Sequence, residues 1–243
     1  RIITFTETGL EAILGDGKVE KIKTNNRTMK ADAVVLSIGI RPNTAFLNGS
    51  GIELAPNRAI KVNEKLETNI KDIYAVGDCA FVTNIITGKG AYAPMGSTAN
   101  IEGRILAQNI NGNNLNYKGA IGTAVVKLPG INAGKTGLTE DAAKSEGYNV
   151  ETVTTVMEDK AKYYPGASVF IIKMIADKVS KKLLGVQVVG EGNIDKIVDM
   201  AVTAIGLDAK LEDIQNLDYA YAPPFSTAIH PFAATVNVLL NKI

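Results

Sequence analysis

The amino-acid sequence predicts an α/β architecture that gives way near residue 116 to an α+β one. Two short β-branched runs, "AVVLSIG" (33–39) and "IYAV" (73–76), read as strands buried on both faces. A long helix ends at "NGNN" (111–114), and the texture changes beyond it. The second half then offers two adjacent apolar runs across a polar turn, followed by amphipathic stripes.

Residues 1–45 read as strands joined by tight turns, with "GDG" (15–17) and "NN" (25–26) supplying the turn chemistry. The run at 33–39 is broken by "RPN" (41–43), since the residue before a proline is pushed out of the helical region. A brief strand near "AIKV" (59–62) precedes "IYAV". "PMGSTANIEGRILAQNI" (94–110) predicts a helix, with Pro94 at its first position and Ile101, Ile105, Leu106 and Ile110 on one face. Beyond 116, "IGTAVVKL" (121–128) reads as a strand. A short helix over 140–146 follows, with Thr139 as N-cap, Glu140 and Asp141 in its first turn and Gly147 as its stop. "SVFIIKMIAD" and "KLLGVQVVG" predict an antiparallel pair. Ile194, Ile197, Val198, Ala201, Val202 and Ile205 form a helical stripe. A last helix from Pro231 presents Phe232, Val236, Leu239, Leu240 and Ile243.

Composition excludes several function classes. Lys and Arg number 26 against 25 Asp and Glu, mixed along the length, so no basic stripe is present to neutralise phosphates and no nucleic-acid partner is expected. No apolar run approaches the roughly 18 residues of a membrane span. Cys79 and His230 are the single cysteine and histidine, which leaves no intrachain disulfide, CxxC pair or thiolate zinc site, and no metal is expected. A reducing, cytoplasmic setting follows from that cysteine usage. The opening "RIITFTETG" enters a strand-like run without a methionine and reads as a piece of a longer polypeptide.

"IYAVGDC" (73–79) ends a strand-like run with a glycine and an acid. In doubly wound sheets, ligands sit outside the carboxyl ends of parallel strands. A carboxylate there accepts hydrogen bonds only, which suits a hydroxyl-rich ligand, and Gly77 lets the backbone come close. The alternative is an acid that caps the following turn.

The longer stretch "TNIKDIYAVGD" (68–78) resembles the flavin-ribityl motif of the pyridine nucleotide-disulfide oxidoreductases. In that family the motif is a Thr, a spacer, an apolar-aromatic strand and Gly-Asp. The resemblance implies that Asp78, beside Gly77, binds a ribityl hydroxyl of FAD. "VVLSIGIRPN" (34–43) is similar to the segment where that family's chain leaves the NAD(P)H-binding domain. "PMGSTANIEGR" (94–104) resembles the helix after the ribityl acid, placing the amides of Met95, Gly96 and Ser97 at the flavin's pyrimidine edge. A helix N-terminus there would stabilise the negative charge of a reduced flavin.

The second half resembles the family's reductase dimerisation domain, with "AGKTGLTEDAAKSEG", "YYPGA", "LLGVQVVGEG" and "LDYAYAPPFS" in the expected order. "YYPG" and "YAPPFS" point to the branch of CoA-disulfide reductases, persulfide reductases and related NADH oxidases. The resemblance implies a homodimer in which these segments cross the interface toward the partner's flavin and cysteine. It also implies catalytic tyrosines, matched here by Tyr163 (or Tyr164) and Tyr221. A phenol can donate a hydrogen bond or proton to a leaving thiolate, although bulky aromatics also anchor interfaces. Phe225 is expected at that interface beside the flavin.

Other features read as structural. His230 lies in "IHP", but the catalytic histidine of glutathione reductase and dihydrolipoamide dehydrogenase aligns with Pro223. "GEGNID" (190–195) lacks the third glycine of a dinucleotide fingerprint. Cys79 is expected to be a small buried side chain. Lys160 stands where the branch often has a histidine, and Tyr219 where an aliphatic residue is commoner.

The resemblance thus implies a partial FAD/NAD(P)-binding Rossmann-like region followed by an α+β dimerisation domain with an antiparallel sheet. Residues 1–45 would be the end of an NAD(P)H-binding domain, 46–115 the end of an FAD-binding domain, and 116–243 the dimerisation domain. The intact protein would pass electrons from NAD(P)H through FAD and a cysteine centre to a small disulfide or persulfide, or to oxygen. A non-catalytic dimerisation fragment is the alternative. Neither G-x-G-x-x-G nor a redox thiol occurs in these residues. One carboxylate and a helix end are too little to offset the ordering of so large a ligand, so the chain alone is expected to bind FAD weakly or not at all, and to be inactive.

Overall fold

The computed structural model describes residues 2–243, which form two compact units that divide after Arg41. The first unit holds a three-stranded antiparallel sheet of β1 (Leu10–Leu14), β2 (Lys21–Thr24) and β3 (Thr28–Lys30). Its turns fall at the two places with turn chemistry, and Arg27 lies 4.5 Å over the Phe5 ring. The expected strand at 33–39 does not form. Those residues pair with no strand among the described residues, and Val35 and Ile38 are about nine-tenths exposed. A strand is held by its neighbours' hydrogen bonds, and apolar character alone cannot supply them.

The second unit, Pro42–Ile243, contains both remaining sheets. β4 (Ile60–Lys61) pairs in parallel with β5 (Ala80–Thr83), which pairs antiparallel with β6 (Gly90–Ala91). "IYAV" is likewise not a strand: Tyr74 makes one bridge to Glu67, and Ile73 and Tyr74 are more than a third exposed. Helix α1 (Gly96–Ile110) starts after Met95, not at Pro94, and its buried face differs from the expected one. Ile101 and Ile110 are exposed, whereas Glu102 is buried and Ile105 and Leu106 pack on Leu66, Ala80, Val82 and Tyr117.

Beyond residue 116 the chain forms a five-stranded antiparallel sheet in the order β7-β8-β11-β10-β9. Its strands are β7 (Ala124–Leu128), β8 (Ile131–Gly137), β9 (Val150–Glu158), β10 (Val169–Asp177) and β11 (Leu183–Gly190). Helix α2 (Glu140–Ser145) follows β8, with the Thr139 hydroxyl accepting from the Ala142 N–H. Glu140 ties that helix to the sheet through Lys173 Nζ at 2.6 Å. Helices α3 (Ile194–Gly206), α4 (Leu211–Gln215) and α5 (Pro231–Leu240) contribute Ile197, Val198, Leu211, Phe232 and Val236 to the main core. Alternation along β10 places Phe170, Ile172 and Met174 in that core, while Ile171 stays half exposed. Thr155 of β9 and Thr235 of α5, both buried, join hydroxyls at 2.7 Å.

β8 and β11 approach so closely that Gly137 and Gly185 face each other. A Cβ on Gly137 (φ +74°) would lie 2.2 Å from the Leu184 carbonyl oxygen, and one on Gly185 would lie 2.0 Å from that of Leu138. Only glycine permits this spacing. No helix among the described residues is long and apolar enough to cross a membrane.

Candidate functional site

Gly77–Cys79 forms one 3₁₀ turn between the extended 73–76 segment and β5, and it packs against α1. Gly77 has φ +80°, a left-handed conformation that turns the chain so that Asp78 projects outward. The Asp78 side chain is exposed and makes no hydrogen bond to any described residue, so it does not cap its own turn. Nearby, the N-terminus of α1 is also unsatisfied. Met95 offers no side-chain cap, and the N–H groups of Gly96 and Ser97 have no partner among the described residues. An outward carboxylate and free helix amides on neighbouring elements are suited to a ligand with both hydroxyls and an electron-rich edge.

Beneath the turn lies a second acid, outside the residues that the motif marks. Glu102, 1% exposed, accepts the Gly77 N–H at 2.6 Å. Burial pushes its carboxyl above the usual range, the Gly77 N–H opposes this, and the Asp78 charge adds to the rise. Helical spacing from Ile105 and Leu106 was the available signal, because positions three and four apart share a face. Cys79 is half-buried rather than fully buried, and burial together with the charges of Glu102 and Asp78 raises its thiol. That thiol is a poor nucleophile.

The second candidate region comprises the 159–164 segment and the 221–230 segment that leads into α5. Tyr163, Tyr221 and Phe225 are 77%, 52% and 68% exposed. The hydroxyls of Tyr163, Tyr164 and Tyr221 make no hydrogen bond to described residues. Phe225 shares a small cleft with Asp159, Lys160, Lys196 and His230, and Lys196 Nζ donates to the Phe225 carbonyl at 3.3 Å. The cleft thus brings the residues before "YYPG" and those of "PPF" together, although neither Tyr163 nor Tyr221 lines it.

Residues 2–103 match the family described as pyridine nucleotide-disulphide oxidoreductase, and residues 123–233 match the dimerisation domain of the same family. The chain belongs to the pyridine nucleotide-disulphide oxidoreductases. It is 36% identical, over 94% of its length, to a CoA-dependent NAD(P)H sulfur oxidoreductase of Pyrococcus furiosus, of which it covers 51%. It is 32% identical, over 96% of its length, to an NADH oxidase of Methanocaldococcus jannaschii, of which it covers 52%. The solved NAD-dependent persulfide reductase from A. fulgidus superposes with a TM-score of 0.91 at 38% identity, covering 97% of this chain and 44% of that one. The chain therefore spans about half the length of the curated relatives it matches.

In this pyridine nucleotide-disulphide oxidoreductase, His230 has a structural task. Its Nδ1 accepts the Phe232 N–H at 3.2 Å, capping α5, and its ring stacks on Tyr219 at 5.0 Å. Tyr219 in turn donates its hydroxyl to the Ile214 carbonyl at 2.9 Å, which explains an aromatic at a position where the family resemblance led us to expect an aliphatic residue. Burial, aided by the charge of Lys196, lowers the His230 pKa from 6.5 to about 4. The unfolded chain therefore binds more protons between those values. Stability from the neutral cap is complete above about pH 6.5 and is lost as pH falls toward 4. Allowing for the ring's partial exposure, the loss is expected to be about 1–2 kcal/mol. Urea midpoints at pH 7.5 and 4.5, compared between the wild type and His230→Asn, measure it: asparagine still caps but does not titrate, so its profile should be flatter.

Proposed function

We propose that this chain is the flavin-facing and dimer-forming part of an NAD(P)H-dependent flavoprotein that reduces a small disulfide or persulfide, such as CoA-disulfide. In that reading, residues 1–45 close the NAD(P)H-binding domain, 46–115 close the FAD-binding domain, and 116–243 form the homodimer interface. The observation that carries it is the Asp78 carboxylate, exposed and unengaged on a turn that packs on α1 at Ala99, in the first turn of a helix whose N-terminal amides are open. The residues present fit FAD: an acceptor-only group for a ribityl hydroxyl, and free amides at Gly96 and Ser97 for the electron-rich ring edge. FAD, when bound, supplies the electron transfer between NAD(P)H and a cysteine centre. This chain's share is binding through Asp78, orientation through Met95, Gly96 and Ser97 with Phe225 alongside, and proton donation across the two-fold axis by Tyr163 and Tyr221. The cysteine usage supports a reducing, cytoplasmic setting.

A second reading, reduction of oxygen, is favoured by the likeness to the M. jannaschii NADH oxidase. CoA-disulfide turnover and oxygen consumption by the full-length protein separate the two. Fast oxygen use without disulfide turnover would reject the first. Tyr221→Phe is expected to lower disulfide turnover about 10- to 100-fold, within the range for loss of a general acid, while flavin bleaching by NADH stays unchanged. Stopped-flow absorbance resolves the two half-reactions, and unaltered turnover would reduce Tyr221 to packing.

A further inference from the structure

Two buried acids stand out in the second unit, and they are satisfied very differently. Asp177, 7% exposed, accepts from the Asn149 N–H, the Ser180 N–H and the Ser180 hydroxyl. Glu102, more deeply buried, accepts one hydrogen bond among the described residues, from the Gly77 N–H. A carboxylate taken out of water for a single bond is costly, and an apolar residue at this position of α1, one turn before Ile105 and Leu106, would avoid that cost. The acid does more than fill space. Its one bond holds the first N–H of the turn that carries Asp78, and it does so from the middle of the helix whose open N-terminus lies beside that turn.

We infer that Glu102 is a positioning residue for the flavin site: by reaching from α1 to the Gly77 N–H, it fixes the direction in which Asp78 leaves the chain. The inference rests on the flavin reading above. Gly77 is the weak point that makes such a strut necessary. At φ +80° it has no Cβ to restrict its backbone, and a Cβ there would meet only Ala99 Cβ, at an ordinary contact distance of 3.6 Å. Anchoring the N–H removes that freedom. The device works by reach rather than by charge, since the acceptor oxygen is all that Gly77 requires.

Two substitutions separate reach from charge. Glu102→Gln keeps the length and an acceptor oxygen but removes the charge. Glu102→Asp keeps the charge but withdraws the oxygen by about 1.5 Å, one carbon–carbon bond, stretching the contact beyond hydrogen-bond range. In the full-length apoprotein, FAD affinity by flavin fluorescence quenching should stay within about threefold for Glu102→Gln and weaken about tenfold for Glu102→Asp. Amide exchange at Gly77, read in the apoprotein, should remain slow in Glu102→Gln and accelerate at least about tenfold in Glu102→Asp. Equal weakening by both variants would overturn the inference, and so would unchanged affinity in both while Asp78→Ala loses FAD; the latter leaves the flavin reading standing. Unchanged affinity in all three would overturn the flavin reading as well. If Glu102→Asp does not fold, Glu102→Gln decides: retained affinity with Gly77 protection supports the strut, and loss of either overturns it.

Discussion

Asp78→Ala in the full-length protein is expected to weaken FAD binding about 10- to 100-fold while leaving the stability of the apoprotein within about 0.5 kcal/mol. The two halves of that expectation have separate causes. A hydrogen bond to a charged acceptor is worth about 1.5–3 kcal/mol when its removal leaves a ligand hydroxyl unpaired in a closed site. The apoprotein, by contrast, loses nothing, because the carboxylate is exposed and has no partner among the described residues. Titration of apoprotein with FAD, alongside a urea melt, measures both. Undiminished affinity would show that the acid serves solvent alone, and a large drop in apoprotein stability would show an intramolecular role.

Phe232→Ala is expected to destabilise the second unit by about 3–5 kcal/mol, a large part of the roughly 5–15 kcal/mol available to a domain. Phe232 is 1% exposed, sits in the first turn of α5 and packs in the main core, with the Tyr219 ring 6.5 Å away. Truncation leaves a cavity under the helix start that His230 caps, so the loss exceeds simple transfer of the missing atoms. The same change should loosen the 219–230 loop that carries Tyr221 and Phe225. Urea denaturation gives the first effect, and exchange at the loop amides gives the second. A cost under about 1 kcal/mol would mean that the ring is not packed as described.

What could be read in advance was whatever declares itself through period or local chemistry. The stripe of α3 repeats over enough residues to identify both the element and its buried side, and two apolar runs across a polar turn identify the antiparallel pair β10 and β11. Thr139 and Pro231 mark helix starts by their own geometry. The failures share a different cause. "AVVLSIG" and "IYAV" carry strand-like residues, but a strand also needs partners, and partnership is not a local property. The β9 run "VETVTTVME" gives no clear strand signal, because threonine and glutamate mask its inward face. There Thr155 is buried yet satisfied by Thr235, a residue far away in the chain. What Glu102 binds was hidden in the same way, since its partner is distant in the chain. Asp78 stands out in the sequence by its motif, and the spacing of Glu102 from Ile105 and Leu106 puts that acid on a packed face, but the bond between Glu102 and the Gly77 N–H has no local signal.

The facing glycines of β8 and β11 restrict how descendants of this sequence can vary. At most crowded positions a larger side chain can be accommodated if a neighbour shrinks, so paired changes keep a route open. At Gly137 and Gly185 the obstructing atoms are main-chain carbonyls, which every amino acid carries. No second mutation can clear them, and both sites are closed to drift unless the two strands themselves move apart.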